Sequence, residues 1–168
     1  MEFERRISLN EKEKQVLVDW GEDIYNSEAL NLVWRPKQLQ VVLYDQGEAK
    51  SKCGLIKQEI EVNDQSILLT GIGGVVTAPP FRHHGYARNV LIEALRIAKE
   101  EWKSDAALLF CLPSMVAFYQ ALSWKLIESK VKVYQPQGMV IFPAATMIHP
   151  ISNFLWPKND ISIDSLPW

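Results

Sequence analysis

Residues 73–88 read GGVVTAPPFRHHGYAR, and within this stretch the pattern changes from strand to helix. Residues 75–77 end an apolar run, and the two prolines at 79–80 prevent the strand from continuing. Gly85 then precedes apolar residues at helical spacing, so the stretch predicts a strand, a tight turn and a helix start. A helix N-terminus has unpaired N–H groups and partial positive charge, which together favour a bound phosphate.

The charge around Gly85 differs from that of the whole chain. The 168 residues include 18 Lys and Arg and 20 Asp and Glu, which gives a net charge of −2. Arg82 and Arg88, with His83 or His84, make the turn locally cationic. One pyrophosphate suits such a site, whereas a nucleic-acid-binding domain is usually basic as a whole. We therefore expect an anion site here and no nucleic-acid partner.

The residues of this turn do not match the two best-known phosphate loops. Neither GxxxxGK[ST] nor GxGxxG occurs in the chain. A single glycine before a helix is most often only a turn. The secondary structure on either side of residues 73–88 is therefore needed to distinguish an anion-binding site from a turn that binds nothing.

The segments before the stretch predict an antiparallel meander of three strands. They lie at residues 39–44, 50–62 and 66–77, with turn residues at 45–48 and 63–64. The third strand contains three glycines, which weaken it. This pattern indicates a bulge, or a close approach by a ligand or by another backbone.

The segments after the stretch predict a parallel crossover. A helix over residues 84–102 leads to a fully apolar strand over residues 106–112, and a short helix follows over residues 115–122. A strand–helix–strand connection places its two strands in parallel, and an apolar strand of this kind lies in the middle of a sheet. Residues 124–134 and 138–148 read as two further strands.

The two ends of the chain are less regular. Residues 3–9 read as an edge strand, and Asn10 is a suitable N-cap for a helix that reaches residue 27. Residues 150–168, with three prolines and two tryptophans, read as an irregular C-terminal arm. We therefore expect one domain over residues 1–168, of α/β (α+β) class, with a mixed and largely antiparallel sheet flanked by helices.

The composition indicates which cellular compartment and which kinds of partner or metal site we expect for the protein. The two cysteines exclude a disulfide scaffold, and neither a signal peptide nor an apolar run of membrane-spanning length can be read. We expect a cytoplasmic protein without a membrane partner. His83 and His84 are adjacent and only His149 remains as a third histidine, so we expect no metal site.

The pattern RxxGxA at residues 82–87, with Thr77 and Pro79 shortly before it, resembles the acetyl-CoA-binding motif of the GNAT N-acetyltransferases. In that family a Val-x-Pro strand end precedes Gln/Arg-x-x-Gly-x-Gly/Ala at a helix start. The next features agree in order and spacing: an apolar strand, then a short helix that carries AFY at residues 117–119. The resemblance covers about residues 39–133.

The resemblance implies a GNAT-like sheet with a splayed central strand pair. It implies an enzyme that moves an acetyl group from acetyl-CoA to an amine by direct attack in a ternary complex, with acetyl-CoA as co-substrate and no metal. The residues that it assigns to the pantetheine arm are Val75, Val76 and Thr77. The residues that it assigns to the pyrophosphate are Arg82, His83, His84, Gly85, Tyr86, Ala87 and Arg88. The alternative for the first set is an ordinary buried strand.

Tyr119 falls where many members of the family that the chain resembles hold a general acid. A phenol with a pKa of about 10 can protonate a thiolate whose conjugate acid has a pKa of about 8.5. The alternative is that Tyr119 is a core aromatic residue. Of the pair Phe118 and Tyr119, we expect Phe118 to face inward.

The chain departs from the family pattern in places that matter for the chemistry. Leu112 stands where the family usually has an asparagine, and the strand before the motif has no carboxylate that could hold a water as base. The remaining candidate bases are Asp45, Glu59, Glu61, His83, His84 and the terminal carboxylate of Trp168. A second hypothesis is therefore an acyl-CoA-binding sensor or interaction module without catalysis, and a third is a structural protein that binds nothing.

The acceptor is a small-molecule or peptide amine in this interpretation. The segments that frame it in the family correspond to residues 25–37 and 134–143. A polyamine, an amino sugar, an amino acid and a protein amine all stay open. The strand at residues 73–77 and the terminal Trp168 are weakly similar to the aminoglycoside 2′-N-acetyltransferases, which carry an acidic residue at the position of Gly73. The arm could also pack on a second copy of the chain, giving a homodimer.

Overall fold

The chain forms ten strands and four α-helices within residues 1–20, 23, 25, 27–153 and 155–168, which the computed structural model describes. A π-helical turn, Ile97–Glu101, continues the third of these helices. The strands are β1 (Glu2–Arg6), β2 (Leu39–Asp45), β3 (Glu48–Val62), β4 (Gln65–Thr77), β5 (Ala106–Cys111), β6 (Lys125–Leu126), β7 (Val131–Gln135), β8 (Gly138–Ile141), β9 (Ala145–Pro150) and β10 (Ile161–Ile163). The helices are α1 (Glu11–Leu17), α2 (Ser27–Leu30), α3 (Tyr86–Arg96) and α4 (Val116–Gln120).

The strands form two sheets. The central sheet has the order β1-β2-β3-β4-β5-β9-β6, and the second has the order β10-β7-β8. Pairing is antiparallel in the central sheet except between β4 and β5. The expected meander of β2, β3 and β4 and the expected parallel crossover are both confirmed. In the described part of the chain, no helix is long and apolar enough to cross a membrane.

The central strands β4 and β5 part from each other. Their pairing runs from Leu69 opposite Ala106 to Ile72 opposite Leu109 and then stops. Strand β4 continues to Thr77, whereas β5 stays paired with β9 as far as Cys111. We call the resulting opening, between residues 73–77 and residues 110–111, the β4–β5 gap. This splay confirms the expected fold class.

The central sheet is covered on both faces. Helix α3 packs Val90, Leu91 and Ala94 against one side, which we call the helix face. The second sheet packs against the other side, the opposite face, through buried residues such as Val133 and Ile163. Burial of these apolar side chains on two faces stabilises the sheet and fixes the position of the β4–β5 gap between two layers.

The N-terminal helix is shorter than expected, so this part of the prediction is wrong. Asn10 is the N-cap as expected: its side chain accepts from the Glu13 amide, and the Glu13 carboxylate accepts from the Asn10 amide. The helix ends at Leu17 because Trp20 folds back, and its indole N–H donates to the Val16 carbonyl at 2.7 Å. Of the expected remainder, Gly21, Glu22, Ile24 and Asn26 lie outside the described residues.

The C-terminal third also differs from the expectation. The strand expected over residues 124–134 is two strands, β6 in the central sheet and β7 in the second sheet. The strand expected over residues 138–148 is also two, β8 and β9, and Pro143 lies in the break because it has no N–H to donate. The arm is not wholly irregular: β10 pairs in parallel with β7, although Phe154 within the arm lies outside the described residues.

Candidate active site

The β4–β5 gap opens into a cavity of about 750 Å³. The cavity is lined by residues from both faces of the central sheet, so it passes through the sheet where the two strands part. Its lining includes Tyr119 and all of the expected cofactor residues except His84. These are Val75, Val76, Thr77, Arg82, His83, Gly85, Tyr86, Ala87 and Arg88.

His84 turns away from the cavity. Its Nδ1–H donates to the carbonyl of Arg82 at 2.7 Å, and its ring stacks on that of Tyr86 with the centroids 6.2 Å apart. The Tyr86 hydroxyl in turn donates to the Asp45 carboxylate at 2.8 Å. His84 therefore supports the turn before α3.

The N-terminus of α3 borders the cavity. Gly85 is its N-cap with φ of +81°, a left-handed conformation that glycine adopts without strain. The first helical bond is the one from the Asn89 amide to the Gly85 carbonyl, so the amides of Tyr86, Ala87 and Arg88 have no intrahelical partner. No atom lies within 4 Å of the place where a Cβ of Gly85 would be, which leaves room for an anion at these amides.

The end of β4 has one free edge. On the β3 side Val76 and Thr77 lie opposite Lys52 and Ser51, and the Ser51 hydroxyl donates to the Val76 carbonyl at 2.7 Å. On the β5 side the pairing has already ended at Ile72. Two carbonyls of this segment already accept from side chains: that of Gly74 from the Lys52 ammonium at 3.1 Å, and that of Val75 from the Tyr25 hydroxyl at 3.4 Å. The other main-chain groups of residues 73–77 that point towards β5 are available to a ligand in the gap.

Tyr119 lies on the helix-face side of the cavity. Its ring packs between Phe118, at 5.1 Å between centroids, and Trp124, at 6.0 Å. Burial raises the pKa of the Tyr119 phenol, so the group keeps its proton at neutral pH. The expectation that Phe118 would be the inward ring is wrong, because Tyr119 is only 6% exposed and Phe118 is half-buried.

Four aromatic side chains line the cavity on the opposite face. The ring centroids of Phe110 and Phe142 are 4.2 Å apart, and those of Phe110 and Trp168 are 5.0 Å apart. Trp34 meets Phe142 edge-on at 6.1 Å. We call Trp34, Phe110, Phe142 and Trp168 the aromatic cluster.

The glycines of β4 make room for this cluster. A Cβ on Gly71 would overlap the indole of Trp168, and a Cβ on Gly73 would lie 2.8 Å from the terminal carboxyl group of Trp168. The expected close approach of another backbone is confirmed at Gly73, where the main chain of Trp168 supplies it. The expected bulge is confirmed too, because the β3–β4 register shifts between Lys52 and Gly54.

Two lysines lie beside these glycines. The Lys37 side chain crosses Gly54 and reaches Gly73, where a Cβ would be 2.9 Å from Lys37 Cε. Burial and the neighbouring charge of Lys52 lower the pKa of Lys37 to about 8. Lys52 is 9% exposed and its ammonium donates to the Gly74 carbonyl at 3.1 Å.

Few of the expected bases lie in the cavity. His83 and Trp168 line it, whereas Asp45, Glu59, Glu61 and His84 do not. Among the described lining residues there is no Asp or Glu side chain. Cys111 lines the cavity as well, but burial raises the pKa of its thiol to about 11, so it stays protonated at neutral pH.

Sequence reasoning did not single out Lys37 or the aromatic cluster. Trp34 and Lys37 fall inside the segment expected to frame the acceptor, and Phe142 falls inside the other such segment. Nothing in the local pattern separates them from their neighbours there. The one available signal for Trp168 was the row of glycines in β4, which indicated that a large group approaches closely.

Comparisons with known proteins show which family and which solved structures the chain is similar to. A family model described as an acetyltransferase (GNAT) domain matches residues 10–127. No curated protein matches the sequence.

Solved structures show the same fold. The chain is similar to the GNAT family N-acetyltransferase YhbS from Escherichia coli in complex with CoA, with a TM-score of 0.58 and 13% identity over 96% of this chain and 89% of that one. It is also similar to a GCN5-related N-acetyltransferase from Anabaena variabilis, with a TM-score of 0.53 and 16% identity over 74% of this chain and 32% of that one. A GCN5-related N-acetyltransferase from Kribbella flavida gives a TM-score of 0.48 and 17% identity over 52% of this chain. The match spans 22% of the length of the Kribbella protein.

Proposed function

The chain belongs to the GNAT acetyltransferase family, and we propose that it transfers the acetyl group of acetyl-CoA to an amine by direct attack in a ternary complex. We place this activity in the cytoplasm. The observation that carries the proposal is that one cavity joins the N-terminus of α3, the free edge of β4 and the Tyr119 side chain. These three parts match an acyl-CoA in order: the helix N-terminus suits its pyrophosphate, the strand edge its pantetheine arm, and Tyr119 its thioester.

The N-terminus of α3 would hold the pyrophosphate. The free amides of residues 86–88 and the positive end of the helix favour an anion, and Arg82 and Arg88 add charge. His83 lines this part of the cavity. His84 contributes by holding the turn through the Arg82 carbonyl.

The free edge of β4 would bind the pantetheine arm. Amide groups of the arm can exchange hydrogen bonds with the main chain of Val75, Val76 and Thr77, much as a further strand would. This orientation brings the thioester to the β4–β5 gap, near Tyr119. Holding the thioester and the amine together removes much of the entropic barrier to their reaction.

The reaction needs a proton for the leaving sulfur. The amine nitrogen attacks the thioester carbon, a tetrahedral intermediate forms, and the C–S bond breaks as the thiolate takes the proton of the Tyr119 hydroxyl. The attacking nitrogen, which is positively charged after attack, loses its extra proton to leave the neutral amide, and this proton restores the phenol directly or through solvent. Because burial keeps Tyr119 protonated, the acid is in the required form at neutral pH.

The test combines cofactor binding with turnover. Calorimetry should show acetyl-CoA binding, and a panel of amines should then release CoA thiol in the presence of the protein. Tyr119→Phe should bind acetyl-CoA normally and release thiol much more slowly. Tyr134→Phe is the matched control, because Tyr134 is exposed on β7 and does not line the cavity.

A second function is favoured by one observation. The described lining residues include no Asp or Glu side chain that could take the proton of the amine, so the domain could bind acyl-CoA without transferring the acyl group. Acetyl-CoA binding without thiol release across the whole amine panel would select this sensor function. Absence of acetyl-CoA binding would reject both functions.

A further inference from the structure

The cavity is lined from both faces of the central sheet. Val75, Tyr86 and Tyr119 pack on the helix face, whereas the aromatic cluster packs on the opposite face. If the cofactor enters from the helix face, its thioester points through the β4–β5 gap. The amine acceptor must then approach from the opposite face, where the aromatic cluster lines the cavity.

The aromatic cluster gives the acceptor side a flat, apolar lining. Phe110 and Phe142 lie 4.2 Å apart, Trp168 adjoins Phe110, and Trp34 adjoins Phe142. Such surfaces favour an acceptor with a planar or apolar group, because burial and ring stacking of that group make binding more favourable. A strongly hydrated body would lose its water here and find few polar partners.

The charged side chains on this side, Lys37 and Lys52, are positive. Lys37 lines the cavity beside Gly73, and the charge of Lys52 lies close enough to lower the Lys37 pKa. Among the described residues no Asp or Glu side chain forms an ion pair with either lysine. The terminal carboxyl group of Trp168 also lies against Gly73 and can offset one of the two buried positive charges, so a bound anion would offset the other.

Lys37 and Trp34 are held in place by main-chain contacts. The side-chain amide of the buried Gln135 accepts from the Val33 amide at 2.8 Å and donates to the Val33 carbonyl at 3.0 Å. The Arg35 amide donates to the Pro167 carbonyl at 2.7 Å. These bonds fix the backbone on either side of Trp34, and the Lys37 ammonium donates to the Arg35 carbonyl at 3.5 Å. The segment is therefore partly ordered before an acceptor binds, which lowers the cost of binding it.

From these observations we propose that the acceptor is an amine with a flat apolar body and a carboxylate, the apolar body lying against the aromatic cluster and the carboxylate pairing with Lys37. An aromatic amino acid has this chemistry. The proposal rests on the function proposed above and narrows its substrate class. It disfavours polyamines and aminoglycosides, because a molecule with several positive charges would meet Lys37 and Lys52 without an Asp or Glu side chain to receive it.

The test uses two amines that differ only in the carboxylate. With acetyl-CoA saturating, phenylalanine should be acetylated with a kcat/KM at least about tenfold above that of 2-phenylethylamine. Lys37→Met should remove this difference by raising the KM for phenylalanine, and leave 2-phenylethylamine within about threefold of wild type. Lys57→Met is the matched control, because Lys57 lies over the Trp102 ring and does not line the cavity.

Three results would overturn the proposal. One is an equal loss of kcat/KM for phenylalanine and 2-phenylethylamine in Lys37→Met. That loss would show that Lys37 acts in the transfer reaction itself and not in binding the carboxylate. The second is a preference of the wild-type protein for spermidine or an aminoglycoside over phenylalanine. The third is the absence of any preference between phenylalanine and 2-phenylethylamine.

A binding experiment distinguishes a protein that transfers no acyl group from one whose acceptor site does not recognise a carboxylate. If no amine releases thiol, binding of N-acetylphenylalanine and of N-acetyl-2-phenylethylamine to the CoA-loaded protein is compared by calorimetry. Tighter binding of the carboxylate compound, lost in Lys37→Met, supports the acceptor site even without turnover. Equal binding of the two compounds, or binding of neither, overturns it.

Discussion

Trp168 occupies the space that a side chain at position 71 would need, and its indole N–H donates to the Leu108 carbonyl at 3.3 Å. Gly71 and Leu108 are opposite each other in the last paired part of β4 and β5. The tryptophan therefore lies against the sheet just before the two strands part. Its contacts connect the last residues of the chain with the part of the sheet that lies beside the proposed acceptor site.

Gly71→Ala should destabilise the protein by forcing Trp168 away from the sheet. We expect a loss of about 1–3 kcal/mol in the free energy of unfolding, because the added Cβ overpacks a buried contact. Urea unfolding measures this loss. In the Trp168→Ala background the same change should cost less, with the remaining cost coming from Ile56 Cγ1, which would lie 2.6 Å from the same Cβ. An equal cost in both backgrounds would show that the strain does not come from Trp168.

Tyr119→Phe should lower kcat about 100-fold or more and leave the affinity for acetyl-CoA unchanged, since the phenol acts on the leaving sulfur alone. Burial raises the pKa of this phenol, so its ionisation should not reduce wild-type activity between about pH 7 and about pH 9. Thiol-release rates across this range check both statements. A variant with the wild-type rate would remove Tyr119 from the role of acid.

Arg88→Gln should weaken CoA binding about three- to tenfold, because the guanidinium adds charge beside the free amides of α3. The loss should shrink as salt is raised. Calorimetry at two salt concentrations measures both effects. Arg96→Gln on the same helix is the control, since Arg96 pairs with Glu93 and Glu100 outside the cavity; a similar weakening in both variants would contradict a local effect.

The KM for phenylalanine should rise as the pH rises through about 8. Burial and Lys52 lower the pKa of Lys37 to about 8, so the Lys37 ammonium that pairs with the carboxylate is present below that pH and lost above it. Lys52, which is buried on β3, is the charged side chain that acts on it, and the terminal carboxyl group of Trp168 lies against the same Gly73 as Lys37. The comparison with 2-phenylethylamine separates this effect from titration of the amine. A parallel pH dependence of the two KM values would contradict the role of Lys37.

The sequence predicted the features that depend on neighbouring residues. The strand end, the Gly85 turn and the start of α3 lie within one short stretch, and local turn and helix rules apply to each of them. The parallel β4–β5 pair followed from the strand–helix–strand connection between them. The position of Tyr119 in the cavity followed from the family pattern.

The acceptor side could not be predicted in the same way. Trp34, Phe110, Phe142 and Trp168 come from four distant segments, which only the tertiary structure brings together. Trp168 reaches β4 after β10 has joined the second sheet, a pairing that no local pattern indicates. The break of one expected strand at Pro143 also separates β8 from β9 and so sets where Phe142 lies.

A crystal structure with bound CoA would show whether the cofactor reaches the β4–β5 gap. We expect the pyrophosphate at the amides of residues 86–88, the pantetheine arm along Val75, Val76 and Thr77, and the sulfur near Tyr119. CoA bound elsewhere, with no part of it between β4 and β5, would rule out this binding mode.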